Sequence, residues 1–523
     1  MFGFLRRPRL SLRPPLRSIE WNGHTLTLAF DAATAPGLAV DIDGCFFSPA
    51  MIDGDGRATV SLPFSPAGRA SFDVLPRLGR DGPPLADQPL RVTHGKAGLI
   101  PAPDSARAPS QSALPARCAP FGLDMATAEV AIVVPVYNAP AMVALCLDAV
   151  LAHTRGRARL IIIDDASTDA GIAPLLAHYE GLARIEVLRN EVNRGFTATA
   201  NRGIAHAGSA DVILLNADTE VGANWLAGLR RAAYSGGDVA TATAVSDNAG
   251  AFSVPELEQA NELPGVWTFD ECARALWQHA GLAYPELPTG NGFCLYIRRS
   301  VIDAVGVLDE AAYPQGYGEE NDFCQRASAL GLRHVIAGNV LVRHARSMSF
   351  GEERRHRLGR AGMEVLRGRW PRYEADVGAA LFSFERRVLD WRVRRIFAAA
   401  NALDRPRRRV LWVGAGAPDW PDAEVWNLRA NAAQNELVHA GRVVAATTWD
   451  AAAPEPSYRA LWDWLQIHAI EWLIVAERKQ SAAEILCDLM DLPVAVVDPA
   501  AGSAQAALDA AESAARSFPE RRA

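Results

Sequence analysis

The chain has 523 residues, 49% hydrophobic and 22% charged, with a formal net charge of −7, enough length and apolar content for several domains around large cores. That charge excludes an overall basic field, so nucleic acid is not an expected main partner. Seven scattered cysteines without a CxxC pair argue against a disulfide framework and a zinc cluster, and fit a reducing cytoplasm.

Residues 1–18 are rich in Arg and Pro and contain no apolar stretch of signal-peptide length; nowhere do about 18 apolar residues run together. Arg6, Arg7, Arg9, Arg13 and Arg17 are expected as a solvated tail, with contact to anionic lipid as the alternative. From 19 to 95, short alternating runs broken by Asp43-Gly44, Asp53-Gly54 and Asp81-Gly82 predict a small β-sandwich-like domain. Residues 96–125 shift to Pro, Ala and Ser, which predicts a linker.

Across 126–375 the period changes. Apolar runs at 130–136, 160–163, 184–188 and 211–215 alternate with helical stretches such as 141–153 and 197–207. This predicts an α/β domain whose parallel sheet is covered on both faces and binds ligands beyond the carboxyl ends of its strands. One helix is expected over 379–400, within a connecting segment at 376–405; a membrane-surface helix is the alternative. From 406 to 523 the alternation restarts, with strands at 410–413, 443–446, 472–475 and 494–497 and helices around 424–440 and 457–468, a smaller Rossmann-like α/β domain. Gly414-Ala415-Gly416 lacks the third glycine of a dinucleotide fingerprint and reads equally well as a tight turn.

Five short signatures follow one another in the central domain: Val134-Pro135-Val136-Tyr137-Asn138, Asp164-Asp165-Ala166-Ser167, Asn193-Arg194-Gly195-Phe196, Asn216-Ala217-Asp218 and Gly318-Glu319-Glu320-Asn321-Asp322. Transfer from a nucleoside diphosphate sugar needs a base pocket, neutralisation of the leaving diphosphate, and a carboxylate to take the acceptor's proton; the five segments supply all three. Pro135 ends the first strand, and Tyr137 and Asn138 offer an aromatic face and an amide. Of Asp164 and Asp165, one suffices to cap the next helix and the other is free to accept from a pyrimidine imide and a ribose hydroxyl. Arg194 is placed to meet phosphate. Asn216-Ala217-Asp218 is a short acidic turn suited to Mg2+ or Mn2+, with Asp218 as the ligand; an ordinary Asx-turn is the rival. Gly290, in Thr289-Gly290-Asn291-Gly292, together with Arg298-Arg299, suggests an acceptor-side wall. Glu320 is expected as the base, with Glu319 as the substitute, because crowded like charges raise one carboxyl. His344, ahead of Ala345-Arg346-Ser347-Met348-Ser349-Phe350, is expected to complete the metal shell or to contact diphosphate.

Those residues in that order resemble the inverting family 2 glycosyltransferases with the GT-A fold, over roughly 129–372. The resemblance implies a nucleotide-diphospho-sugar transferase core in which the proline-aromatic turn and the following aspartate hold the nucleotide, Asp-x-Asp binds metal and diphosphate, and a Glu/Asp-Asp pair supplies the base. Asn216 stands here for the first acid of Asp-x-Asp, and Glu320 for the usual aspartate. The 316–324 and 344–349 stretches are most similar to the branch that acts on bacterial surface polysaccharides and O-antigen, rhamnosyltransferases included. The C-terminal domain resembles half of a two-lobed glycosyltransferase. The expected activity is metal-dependent, inverting transfer from a UDP- or dTDP-sugar to a glycan or lipid-linked glycan, in the cytoplasm with peripheral contact at the inner membrane face left open. A sugar nucleotidyltransferase and a catalytically inactive carbohydrate-binding scaffold are the alternatives.

Overall fold

The computed structural model describes residues 114–497 with short breaks, among them 346–351, 415 and 431–433, together with the strands between 12 and 101. The expectations for Arg6, Arg7, Arg9 and Arg13, for linker residues 102–113 and for Arg346 to Phe350 lie outside the described residues. Near the N-terminus, Leu16–Trp21, Thr25–Phe30, Arg57–Ser61 and Met51–Ile52 form one antiparallel sheet. Cys45–Phe47, Leu38–Ile42, Ser71–Leu78, Leu90–Thr93 and Ile100–Pro101 form a second. Period-two alternation buries Leu26, Leu28 and Phe30 in the first, and Leu38, Val40 and Ile42 in the second.

The central sheet has eight strands: β1 (Val130–Val136), β2 (Ala158–Asp164), β3 (Ile185–Arg189), β4 (Asp211–Leu215), β5 (Thr219–Val221), β6 (Val239–Val245), β7 (Cys294–Ile297) and β8 (Arg333–His344), in the order β3-β2-β1-β4-β7-β6-β8-β5. Strands β3, β2, β1 and β4 are parallel, and β7 runs against both β4 and β6. β6 and β8 are parallel to each other, so the carboxyl ends of β1, β2, β4, β6 and β8 and the amino end of β7 share one rim. Because both faces are covered, successive residues enter different cores. Ile132, Val134, Leu160 and Ile162 belong to one cluster, and Val133, Ile161, Ile163 and Leu214 to the other.

Helices α1 (Pro140–His153), α2 (Ile172–Tyr179), α3 (Phe196–His206), α4 (Trp225–Ala233), α5 (Phe269–His279), α6 (Arg299–Val305) and α7 (Glu319–Ser328) connect these strands. Two helices follow, α8 (Glu352–Arg369) and α9 (Tyr373–Leu381). The single helix expected at 379–400 is instead broken at Phe382, and α10 (Phe384–Ala399) begins anew. Ser383 makes the break: its hydroxyl accepts the Arg386 N–H at 3.2 Å, satisfying an otherwise orphan donor. α10 lies on the central domain. Arg386 is fully buried, pairs with Asp390, and donates to the carbonyls of Ala251 and Ser253.

The C-terminal sheet has the order Arg442–Thr448, Gln434–His439, Ala423–Ala430, Arg408–Val413, Trp472–Val475, Val494–Val496, with helices α11 (Glu455–Ile467) and α12 (Ala482–Leu489). The helix expected at 424–440 is an antiparallel strand pair, registered from Trp426↔His439 to Ala430↔Asn435. Stacking of Trp426 on His439, with ring centroids 4.2 Å apart, and burial of Leu428 and Leu437 outweigh the helix propensity of the Ala, Glu and Leu in this stretch. Among the described residues no helix is long and apolar enough to cross a membrane.

Arg230 of α4 joins the two α/β sheets. Its guanidinium pairs with Asp491 and donates to the carbonyls of Met125 and Ala128, with both charged side chains 2% exposed. Asp491 also accepts the Arg157 N–H at 3.3 Å. Removing one partner of a buried ion pair strands the other charge, so Asp491→Ala should cost about 3 kcal/mol in a urea titration. Arg230→Met with Asp491→Leu should recover most of that loss. A single variant as stable as the wild type would rule out this account of the interface.

Candidate active site

The rim assembles from strand ends. Val136 pairs with Asp164 across β1 and β2, and Val133 pairs with Leu214 across β1 and β4, so Tyr137, Asp165 and Asp218 each leave the sheet at the same edge. On the far side of β4, Leu215 pairs with Cys294, and the Asn216 N–H donates to Phe293 O at 3.0 Å. Thr219 pairs with His344 across β5 and β8.

Both acids of the Asp164-Asp165 pair are used inside the protein. Asp164 Oδ1 accepts the Ser167 N–H at 2.9 Å; its second oxygen has no protein partner among the described residues. Asp165, 4% exposed, accepts from Asn190 Nδ2 at 2.7 Å, the Arg194 N–H at 2.8 Å and the Gly195 N–H at 3.0 Å. Its carboxylate therefore fixes the Asn193-Arg194-Gly195 turn and spends three of its roughly four acceptor sites inside the protein. Asn138, in left-handed backbone at φ 59°, does similar work. Its Oδ1 accepts from the N–H groups of Thr168 and Asp169, and its own N–H donates to Ser167 Oγ. Pro135 and Tyr137 are half-buried beside it, and Arg194 is exposed.

Gly195 carries the Arg194 turn across to α7. At φ +82°, a Cβ there would lie 2.3 Å from Pro314 O, so only glycine permits the contact. Thr197 Oγ1 donates to Tyr313 O next to it. Gly195→Ala should therefore push the 313–318 loop away from the turn and lower kcat/KM at least tenfold, since small displacements of positioning loops are that costly. Steady-state kinetics on a variant with unchanged circular dichroism would check it.

The 313–318 loop ends at the amino terminus of α7. Glu319 is buried, its Oε2 accepting the Gly318 N–H at 3.0 Å; Glu320 is half-buried and its buried Oε2 has no hydrogen-bond partner among the described residues. Burial raises the pKa of both carboxyls, Glu319 further because it also feels the charge of Glu320, while the N–H groups of Gly292 and Gly318 and the Glu319 carboxyl favour the charged form of Glu320. Asp322 lies outside this chemistry. Its carboxylate accepts from Arg326 Nε at 2.9 Å, Trp370 Nε1 at 3.0 Å and Arg369 Nη1 at 3.2 Å, tying α7 to the end of α8. The Gly290 N–H turns inward to Cys324 Sγ at 3.1 Å, seating the 289–292 loop on α7.

Asp218 Oδ1 and His344 Nε2 are 3.3 Å apart, the two side chains 19% and 13% exposed. The imidazole stacks on Phe293 with ring centroids 5.3 Å apart, and its Nδ1 is buried without a partner. A carboxylate and an imidazole so placed fit a divalent ion as two ligands; among the described residues no third His, Cys, Asp or Glu completes a cluster, so substrate oxygens and water would supply the rest. Asn216 contributes backbone: its carbonyl accepts the Thr219 hydroxyl at 2.7 Å.

The structure thus gathers Pro135, Tyr137, Asn138, Asp164, Asp165, Arg194, Asn216, Asp218, Gly290, Glu319, Glu320 and His344 along one rim, through Gly195 against Pro314, Phe293 against His344, and Gly292 beside Glu320. It does not bring Arg298 and Arg299 there. β7 runs antiparallel, so they sit at the opposite edge, where Arg298 Nη1 donates to Val239 O at 3.1 Å and the Arg299 N–H to Asp211 Oδ1 at 2.7 Å. Two rim groups escaped the sequence reading. Asp247 follows β6 and accepts the His344 N–H at 3.0 Å; an acid directly after an apolar strand was its signal, as for Asp164 and Asp218. Asn190 had none, because its role depends on Asp165 lying across from it.

A mixed sheet of this order is the GT-A architecture. Residues 131–306, about a third of the chain, match the family model described as Glycosyl transferase family 2. An uncharacterized protein y4gI of Sinorhizobium fredii is 25% identical over 47% of this chain and 28% of its own length. The succinoglycan biosynthesis protein ExoU of Rhizobium meliloti is 34% identical over 18% of this chain and 27% of its own. The chain thus spans about a quarter of the length of the curated relatives it matches. Among solved structures, the mannosyltransferase PcManGT from Pyrobaculum calidifontis in complex with GDP-Man and Mn2+ is 18% identical, covering 56% of this chain and 80% of that one at a TM-score of 0.36; the assignment does not rest on it.

Proposed function

We propose that the chain is an inverting glycosyltransferase that moves a sugar from a UDP- or dTDP-activated donor to a glycan or lipid-linked glycan in cell-surface polysaccharide synthesis. The observation that carries this is the common rim. Unpaired carboxylate oxygen on Glu320, the Asp218–His344 pair and the Arg194 turn are joined to one another by direct contacts of the intervening loops. The division into a β-domain, a transferase domain and a C-terminal α/β domain belongs to the same proposal.

In this reading Pro135, Tyr137, Asn138 and the open oxygen of Asp164 border the nucleotide, while Asp165 holds Arg194 where phosphate passes. Glu320 Oε2 takes the proton of an acceptor hydroxyl as that oxygen attacks the anomeric carbon in line with the departing diphosphate, which inverts the configuration. Asp218 and His344 would hold Mg2+ or Mn2+, whose charge neutralises the leaving group. Purified protein incubated with a panel of UDP- and dTDP-sugars and Mn2+ should release nucleotide slowly from at least one donor, and chelation should stop it. No release from any donor, with no binding of UDP or dTDP by calorimetry, would favour the inactive scaffold.

A further inference from the structure

Glu319 and Glu320 open α7 side by side, and neither is ion-paired among the described residues. The titratable groups that face them are Tyr313 toward Glu319, and Tyr373 and Cys324 toward Glu320. All three are neutral at physiological pH, their ionised forms disfavoured by burial. Asp322, on the same turn, is already neutralised by Arg326 and Arg369. Glu319 is the deeper of the two, 4% exposed, and a Cβ on Gly316 would touch both its carboxyl oxygens and the Phe196 ring. Two adjacent carboxylates with no cation beside them among the described residues do not both ionise in such surroundings, and a hydrogen bond between two carboxyls requires a proton between them.

The surroundings also decide which carboxyl keeps that proton. Glu320 faces its own N–H and those of Gly292 and Gly318, donors that stabilise a negative charge. Glu319 has fewer, its own N–H and that of Gly318, with the Phe196 ring nearby. We propose that Glu319 is a positioning residue: it holds the one proton the pair shares and donates it to Glu320, fixing the orientation of that carboxylate. This rests on Glu320 being the base. During transfer the acceptor's proton goes to Glu320, the new C–O bond forms as the bond to diphosphate breaks, and the Glu319 proton stays where it is.

The test compares Glu319→Gln, Glu319→Leu and Glu320→Gln for kcat/KM against pH, with the infrared carbonyl stretch of 13C-glutamate-labelled full-length protein. Glutamine keeps a donor in the same place, so Glu319→Gln should retain activity within about threefold, with its acidic limb unmoved. Leucine removes the donor, so the acidic limb should move up by about one pH unit, a loss that reaches about tenfold on the acidic side of the limb and that higher pH restores. A protonated-carboxyl band at neutral pH should be present in wild type and absent in Glu319→Gln. If that band is missing from wild type, if Glu319→Gln is as inactive as Glu320→Gln, or if Glu319→Leu leaves the profile in place, the shared proton is wrong while the base stands. If Glu320→Gln is active and Glu319→Gln is not, the base itself has been misassigned.

Discussion

Glu320→Gln should lower kcat at least a hundredfold while leaving donor KM within a factor of about three. A positioned general base contributes roughly 10²–10⁴-fold, and the amide keeps the shape and the hydrogen bonds from Gly292 and Gly318 but cannot accept a proton. The pH dependence follows from the environment. Desolvation raises the pKa of Glu320, so the acidic limb of kcat/KM should lie above the ordinary carboxylate range, and activity should fall as pH drops through that raised value. Stability has the opposite sign. Carboxyls whose folded pKa values lie above their unfolded ones bind protons more tightly in the native state, so their contribution is complete below the unfolded value near 4.5 and declines as pH rises through the folded ones. The wild type should therefore gain activity and lose some stability over the same pH interval, and Glu320→Gln should flatten both curves. Parallel rate and thermal-melt measurements would separate this from a simple folding defect, in which activity and stability fall together.

Much of the central domain is legible in the sequence because its strands are buried on both faces. Continuous apolar runs such as Val130–Val136 leave no choice of period, and the first four strands emerge within two residues of their expected bounds. The antiparallel β7 is harder, because Cys294–Ile297 is short and no local signal says which way it points; hence the misplacement of Arg298 and Arg299. The C-terminal stretch 423–439 fails for another reason. Its apolar residues fit both periods, and only the cross-strand pairing of Trp426 with His439 selects the strand. The break before α10 was present as a serine ahead of an acidic first turn, Ser383-Phe384-Glu385, but the apolar residues on either side mask it. At the site, residue types pointed to the right turns yet not to the division of labour within them. The adjacent Asp164 and Asp165 look interchangeable, and only the position of the Arg194 turn shows that Asp165 is spent on backbone N–H groups.

That division makes Asp165→Ala the most damaging change expected on the donor side. Removing the carboxylate deprives Asn190 Nδ2 and the N–H groups of Arg194 and Gly195 of a charged acceptor at once. Asn190 Nδ2 keeps its existing bond to Thr199 Oγ1 at 3.0 Å, but the two backbone donors have no other acceptor among the described residues. At about 1.5–3 kcal/mol for each hydrogen bond to a charged group, the variant should lose about 4 kcal/mol or more of stability. The functional effect travels further, because the freed turn is the one that Gly195 presses against Pro314 and that the loop before Glu319 depends on. Donor KM should rise together with a fall in kcat and in stability; Asp164→Ala, which removes one internal bond to the Ser167 turn and an oxygen bordering the nucleotide, should raise donor KM without a comparable loss of stability or kcat. Asp165→Asn tests the same point more gently: its single carbonyl can satisfy one of the backbone donors while its amide confronts the other, so it should fall between alanine and wild type in both stability and KM. Equal, mild effects of Asp164→Ala and Asp165→Ala on stability and donor KM would show that the two acids share one role and that the turn is held by something else.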